Sequence, residues 1–344
     1  MRVIYFCTSP RPGTHAGGVK VIYDHARALT AMGVEAFILH ERRGYRYPWT
    51  DQPVPTIADY QLRAGDHLVI PEIKAAALAR KLAGSNFRYS IFVQNGYYLS
   101  HRDGGMSDAD VDFAYRNAEH ILSISEDTSS LIRLHYPDLS ARILRMTCTV
   151  DFNRFQQTES KEKLITYMPR KNRDHAEAVV FALKRHLPVD WAIHAIDGLK
   201  VSEVADVMRR SRIFLSFSGM EGLGLPPIEA ALCGDYVVGY HGGGGKEYWC
   251  SPNFDAVDVG DIAGFVAKII ARVEASDKDP RLLELQDGIG ALRSMFSRDN
   301  EDAHLRMFVR LLETDPPSPD KSSNVAIKLQ KRMKIGLWAR LRRW

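Results

Sequence analysis

The sequence predicts an α/β protein of two Rossmann-like parallel-sheet domains facing each other across a cleft. Three observations carry this. The chain has 344 residues, more than one hydrophobic core comfortably fills. Its strand candidates are continuous apolar runs, as strands covered by helices on both faces must be. The strand–helix alternation then begins afresh near Leu164, so two α/β units follow one another.

The first unit opens with the β-rich run Val3–Cys7. A Pro/Gly/Thr/His loop leads to Val19–Met32, where Val21, Ile22, His25 and Leu29 have helical spacing and Gly33 supplies the stop. Val34–Leu39 is the next strand, followed by His67–Ile70, Ser90–Val93 and Ile121–Ile124, with helix-like segments such as Lys74–Leu82 between them. In the second unit the strands are Leu164–Met168, Trp191–Ala195, Ile213–Phe217 and Tyr236–Tyr240. Helices at Asp174–His186, Ser202–Arg210 and Pro227–Cys233 separate them. The join falls in the polar stretch Asp151–Lys161, giving domains 1–155 and 156–313. A Pro/Ser-rich linker, Thr314–Ser323, then isolates the tail within 314–344.

Composition bounds the function. With 45% hydrophobic and 26% charged residues the chain is an ordinary globular one, and a formal net charge of +4 is a weak pointer to anionic partners. Cys7, Cys148, Cys233 and Cys250 lie far apart, which argues for small core thiols in a reducing compartment and against structural zinc. The apolar start is cut short by Pro10 and Pro12 and does not read as a signal peptide. No apolar run is long enough to span a bilayer. The expected location is cytoplasmic, or peripheral on the inner face of the membrane through the tail. In Asn324–Trp344 every charged side chain is basic, and Val325, Leu329, Met333, Leu337, Leu341 and Trp344 share an apolar arc on a helical projection. That pattern suits an anionic membrane surface, or a helix packed on the body with its basic face in water. A nucleic-acid partner is not expected, because no recognisable module accompanies the basic residues.

Two glycine-bearing loops carry the candidate chemistry. Gly17 and Gly18 open the first helix after the first strand, where backbone N–H groups can meet a phosphate or sugar, although a plain glycine turn accounts for them equally well. The second loop reads Glu221-Gly222-Leu223-Gly224-Leu225-Pro226-Pro227-Ile228-Glu229. It is placed just beyond the end of a strand, on the edge where open α/β sheets bind ligands. Pro226 and Pro227 suit a helix opening, which puts Glu229 in the first turn. Glu229 can accept hydrogen bonds from a ribose diol, and Glu221 can orient a transferred sugar; alternatively both cap or solvate the helix. Gln94 and Asn95, after the strand Ser90–Val93, can hydrogen-bond either a donor or an acceptor, and His15 and His101 are the nearby histidines. Asp108-Ala109-Asp110, Asp110-Val111-Asp112 and Asp277-Lys278-Asp279 match the D-x-D of metal-binding transferases, but their helical and turn settings read as solvated faces. No metal or other cofactor is expected.

Phe214–Trp249 resembles the donor region of the retaining GT-B glycosyltransferases of family 4, whose mark is Glu-x7-Glu, then Gly, a Val-rich strand and a Gly-Gly…Glu turn. Gly234, Val237, Val238, Gly242, Gly243 and Glu247 fall on that pattern. Ile121–Phe155 is similar to the family's interdomain stretch, closing with Val150, Asp151 and Phe155. The resemblance implies a GT-B fold with the acceptor on the first domain and a nucleotide-diphosphate sugar on the second. It further implies that Glu221 contacts the sugar, that Glu229 contacts the ribose, and that the amides around Leu223–Leu225 hold sugar and diphosphate. Arg170 would neutralise the leaving group, together with either Lys171 or Arg173, since the family's spacing to its Lys is compressed here. The implied activity is hexosyl or deoxyhexosyl transfer to a glycan or lipid-linked acceptor, in envelope or surface polysaccharide synthesis. A GT-B epimerase or phosphorylase, or a catalytically silent sugar-nucleotide or glycan binder, is the alternative.

Overall fold

Val3–Cys7 (β1) is buried along its whole length and pairs in parallel with Ala36–His40 (β2) and His67–Pro71 (β3). The computed structural model in which it lies describes residues 1–11, 17–47, 54–101, 105–250, 252–278, 285–314 and 328–330. Helix α1, Gly17–Ala31, joins β1 to β2. The first sheet continues through α2 (Ala75–Leu82), β4 (Arg88–Val93), α3 (Asp108–Asn117), β5 (Ile121–Ser123), α4 (Glu126–His135) and β6 (Ile143–Arg145). Its strand order is β2-β1-β3-β4-β5-β6.

The second unit runs β7 (Leu164–Tyr167), α5 (Arg173–Leu183), β8 (Ala192–Ala195), α6 (Val201–Arg210), β9 (Ile213–Glu221), α7 (Leu225–Leu232), β10 (Tyr236–Gly243) and β11 (Phe254–Ala256). Helices α8 (Ile262–Lys278), α9 (Gln286–Met295) and α10 (Arg298–Thr314) follow. Its strand order is β11-β10-β9-β7-β8, and every pair in both sheets is parallel. Burial on both faces explains the continuous apolar runs: Val237, Val238 and Tyr240 of β10 are all fully buried.

The boundary at 313 needs correction, because α10 crosses back onto the first domain. Val150 N–H donates to the Phe296 carbonyl at 3.2 Å, where the returning chain meets the outgoing one. Fully buried Phe308 of α10 lies edge-on to His67 at 5.9 Å and to His120 at 6.2 Å. Burial of such an aromatic side chain contributes about 1.5–3 kcal/mol, enough to dock the helix there. Thr149 fastens it further, donating from its N–H and hydroxyl to the Glu301 carboxylate at 3.1 and 2.9 Å.

The tail reading also changes over its described part. Lys328–Gln330 is not helical, and Leu329 lies buried in the first domain's core cluster. The first domain therefore takes Leu329 out of the apolar arc assigned to a membrane; the remainder of 324–344 lies outside the described residues. No helix among the described residues is long and apolar enough to cross a membrane.

Candidate functional site

Each sheet has one point where its strand order reverses: between β1 and β3 in the first, between β7 and β9 in the second. Loops leaving the C-terminal ends of such neighbours diverge and open a crevice. The candidate residues gather at the second of these points. Glu221 is the last residue of β9, opposite Gly243 of β10, rather than beyond the strand. The ladder runs four residues past Phe217 because β10 extends with it, through an irregularity between His241 and Gly243. From the loop after β7, the Lys171 ammonium forms an ion pair with the Glu221 carboxylate. Asn172, with a left-handed φ of 40°, fastens that loop across the crevice by donating from Nδ2 to the Phe217 carbonyl at 2.8 Å.

Lys171 is thus the cation aimed at Glu221. Arg170 Nε stands 3.9 Å from the Asp197 carboxylate, with both side chains largely in water. Arg173 turns along its own helix to Glu177 at 2.8 Å.

The Gly222–Leu225 loop is shaped by its surroundings. Tyr248, fully enclosed, shares its hydroxyl between the Leu223 and Gly224 carbonyls at 3.0 and 2.8 Å. Gly224, at φ 81°, occupies a left-handed position that favours glycine and leads α7, which has no side-chain N-cap. Glu229 is the fifth residue of α7, one position past the first turn expected for it. Its carboxyl is pushed up to about 7 by burial at the seam, against the pull of Lys20 on α1 and Arg154.

The first domain closes onto this loop through the Gln94–Asn95 turn after β4. Asn95 Nδ2 donates to the Met220 carbonyl at 3.1 Å, and Gln94 Nε2 to the Gly18 carbonyl at 2.9 Å. At Gly222 a Cβ would collide with the Gln94 carbonyl, and a side chain at Gly17 would touch Leu225. The two glycine loops and the Gln94 turn therefore meet at one place. His101 is exposed beside Tyr98, with ring centroids 6.4 Å apart, and is not drawn into this junction. His15 lies outside the described residues.

Sequence reasoning placed Glu247 on the family pattern without a role, and missed the other groups that hold the junction together. Glu247 accepts from the Glu126 N–H at the start of α4 at 2.7 Å and pairs with Arg145 of β6. Tyr97 donates its hydroxyl to Asp127 at 2.9 Å, packed against Gly243. An Asn between two basic residues after an apolar strand was the one readable signal, since Asn tolerates left-handed backbone; the others pair residues more than a hundred positions apart or sit in unremarkable loops. The aspartates of the D-x-D matches are engaged locally. Asp110 caps α3 with Ser107 and pairs with Arg80 at 2.5 Å, Asp112 pairs with Arg116 at 3.0 Å, and Asp277 meets Lys163 at 2.9 Å. Asp279 lies outside the described residues. Among the described residues no group of three His, Cys, Asp or Glu side chains is placed to hold a metal ion.

No protein-family model matches the chain. An α-1,6-glucosyltransferase of Actinobacillus pleuropneumoniae is 24% identical over 338 residues, spanning 91% of this chain and 96% of the relative. Among solved structures, sucrose-phosphate synthase of Thermosynechococcus elongatus superposes with a TM-score of 0.69 at 12% identity, covering 91% of this chain and 99% of that one. Anabaena HepE in complex with UDP superposes with a TM-score of 0.66 at 12% identity, covering 92% and 100%. These superpositions show that the two parallel-sheet domains form a GT-B fold.

Proposed function

We propose that the chain is a glycosyltransferase that moves a hexose or deoxyhexose from a nucleotide-diphosphate sugar to a glycan or lipid-linked acceptor. The observation that carries this reading is the Lys171–Glu221 pair at the β7/β9 reversal, beside the Tyr248-supported Gly222–Leu225 loop. The glucosyltransferase relative and the UDP-bound HepE neighbour support it. HepE has also been captured with UDP-glucose, at a TM-score of 0.63 and 11% identity, which makes UDP-glucose the first donor to try. The family 4 likeness of Phe214–Trp249 favours a retaining, metal-independent enzyme of envelope or surface polysaccharide synthesis, cytoplasmic or peripheral at the inner membrane face.

In this mechanism Glu229 accepts the ribose hydroxyls and the amides of Leu223–Leu225 face the diphosphate. Lys171, with Arg170 free to swing from Asp197, neutralises the charge that grows on the leaving oxygen, as preorganised electrostatic stabilisation. The acceptor hydroxyl attacks the anomeric carbon on the face from which the diphosphate departs. Its proton passes to a phosphate oxygen of that leaving group, so a new C–O bond replaces the old one and nucleoside diphosphate is released. NMR of the product is expected to show the donor's anomeric configuration preserved; an inverted product would overturn this stereochemistry.

Glu229 gives the reaction a pH signature. With its carboxyl pushed up to about 7, it is protonated below that pH and ionised above it. Only the ionised form accepts two ribose hydroxyls, so donor KM should climb as pH falls from 8 to 6 and approach a plateau above neutrality. Glu229→Gln should raise KM and flatten the profile. A profile identical to that of the unsubstituted protein would remove Glu229 from donor binding.

A further inference from the structure

Glu221 is aimed by an irregularity in its own strand. Ser218 pairs with His241 and Glu221 with Gly243, so Gly219 and Met220 of β9 stand opposite Gly242 alone. A bulge of this kind interrupts the ladder and re-aims the side chain beside it. The direction of Glu221 is therefore set less by the sheet than by whatever grips the two extra residues. Asn172 grips one side: its Nδ2 donates to the Phe217 carbonyl at 2.8 Å, and the amide packs against Gly219. On the partner strand a Cβ at Gly242 would come within 3.0 Å of the Glu221 Cβ, so there is no slack on that side.

The remaining grip comes from the first domain. Asn95 Nδ2 donates to the Met220 carbonyl at 3.1 Å, one peptide unit before Glu221. The peptide is planar, so fixing the Met220 oxygen also fixes the Glu221 nitrogen. Asn95 Oδ1 accepts from the Tyr97 N–H at 3.0 Å and caps the short helical turn Gly96–Tyr98. Both ends of the Asn95 amide are thus engaged by the chain itself, and the residue is only 9% exposed. Gln94 is similarly occupied, its Nε2 bonded to the Gly18 carbonyl at 2.9 Å.

We propose that Asn95 is a positioning residue that reaches across from the first domain, fixes the Met220 peptide and through it orients the Glu221 carboxylate. The bond joins the two domains, so Glu221 and the Lys171 ammonium paired with it are fully set only when the domains are closed. A donor held by an open second domain then meets a carboxylate that is not yet aligned. This rests on the glycosyltransferase reading above, which sets Glu221 against the sugar, and it gives the first domain a part in arranging the donor side.

Asn95→Asp in the full chain isolates this role. Aspartate keeps the acceptor for the Tyr97 N–H and caps a helical turn as well as asparagine does, but it sets an oxygen against the Met220 carbonyl where a donor is required. Were Asn95 only a cap, the variant would be silent. Instead its melting temperature and UDP affinity are expected to hold, while kcat for UDP release from UDP-glucose falls by about 10- to 100-fold with KM little changed. Added to Glu221→Gln, the substitution should cost no further rate, because the two residues act as one unit. Hydrogen exchange over residues 218–225 should also quicken in the variant, with or without nucleotide. An unchanged kcat, a loss that adds in full to that of Glu221→Gln, or unchanged exchange overturns the proposal. If the unsubstituted chain binds no nucleoside diphosphate and the exchange still responds, the glycosyltransferase reading fails while the grip of Asn95 on the bulge stands.

Discussion

Replacing Lys171 with alanine is expected to lower kcat by about 100- to 1,000-fold while changing donor KM far less, the loss typical of removing one preorganised charge from a developing anion. The Lys171 ammonium is held by Glu221. A bound diphosphate offers it a denser negative charge at the same crevice, and the demand peaks as the leaving oxygen takes up the bond electrons. The loop that carries Lys171 is fixed by the Asn172 hydrogen bond to Phe217, so the variant loses a charge and keeps the scaffold. Steady-state release of nucleoside diphosphate measures both constants. If KM rose with kcat unchanged, Lys171 would belong to ground-state binding alone.

Gly222→Ala should be nearly as damaging, for a steric reason. The added methyl falls on the Gln94 backbone carbonyl, and backbone cannot rotate away as a side chain would. The two domains must part at the junction or the loop must shift, and misplacement by about an ångström costs on the order of 100-fold in rate. Both routes leave the two hydrophobic cores untouched, so thermal stability should change little, and domain parting is the expected route because the Gly222–Leu225 loop is held by Tyr248. Small-angle scattering should report a larger radius of gyration for the variant. A variant with unchanged dimensions and unchanged kcat/KM would mean that the closed contact between Gln94 and Gly222 plays no part in turnover.

Much of this arrangement is legible in the sequence, because its causes are local. Val237, Val238 and Tyr240 read as a strand since a covered parallel strand is apolar on both faces. The Glu221–Glu229 loop stood out because glycine and proline mark backbone that has to bend or approach closely. What stayed hidden depends on distance along the chain. The amphipathic pattern of α10 shows that Leu305, Phe308 and Leu312 are buried, not which domain buries them. Leu329 fits a membrane-facing arc by periodicity, yet Asp59, 270 residues away, claims its backbone. The sequence puts Glu221 one step beyond the strand because strand length depends on the neighbouring strand, and β10 extends to Gly243, opposite Glu221. Of the three cations after β7 the resemblance singles out Arg170 and leaves Lys171 and Arg173 as alternatives, whereas the fold turns Lys171 toward Glu221, Arg170 toward Asp197 and Arg173 toward Glu177.

The central claim is that the crevice between β7 and β9 holds a nucleotide-diphosphate sugar. Calorimetric titration of UDP, its companion nucleoside diphosphates and UDP-glucose into the chain tests it most directly, repeated with Glu229→Ala and Lys171→Ala. One nucleoside diphosphate should bind saturably at a single site, with affinity clearly reduced in both variants. Failure of every nucleotide to bind, or binding unchanged in both variants, would contradict the account.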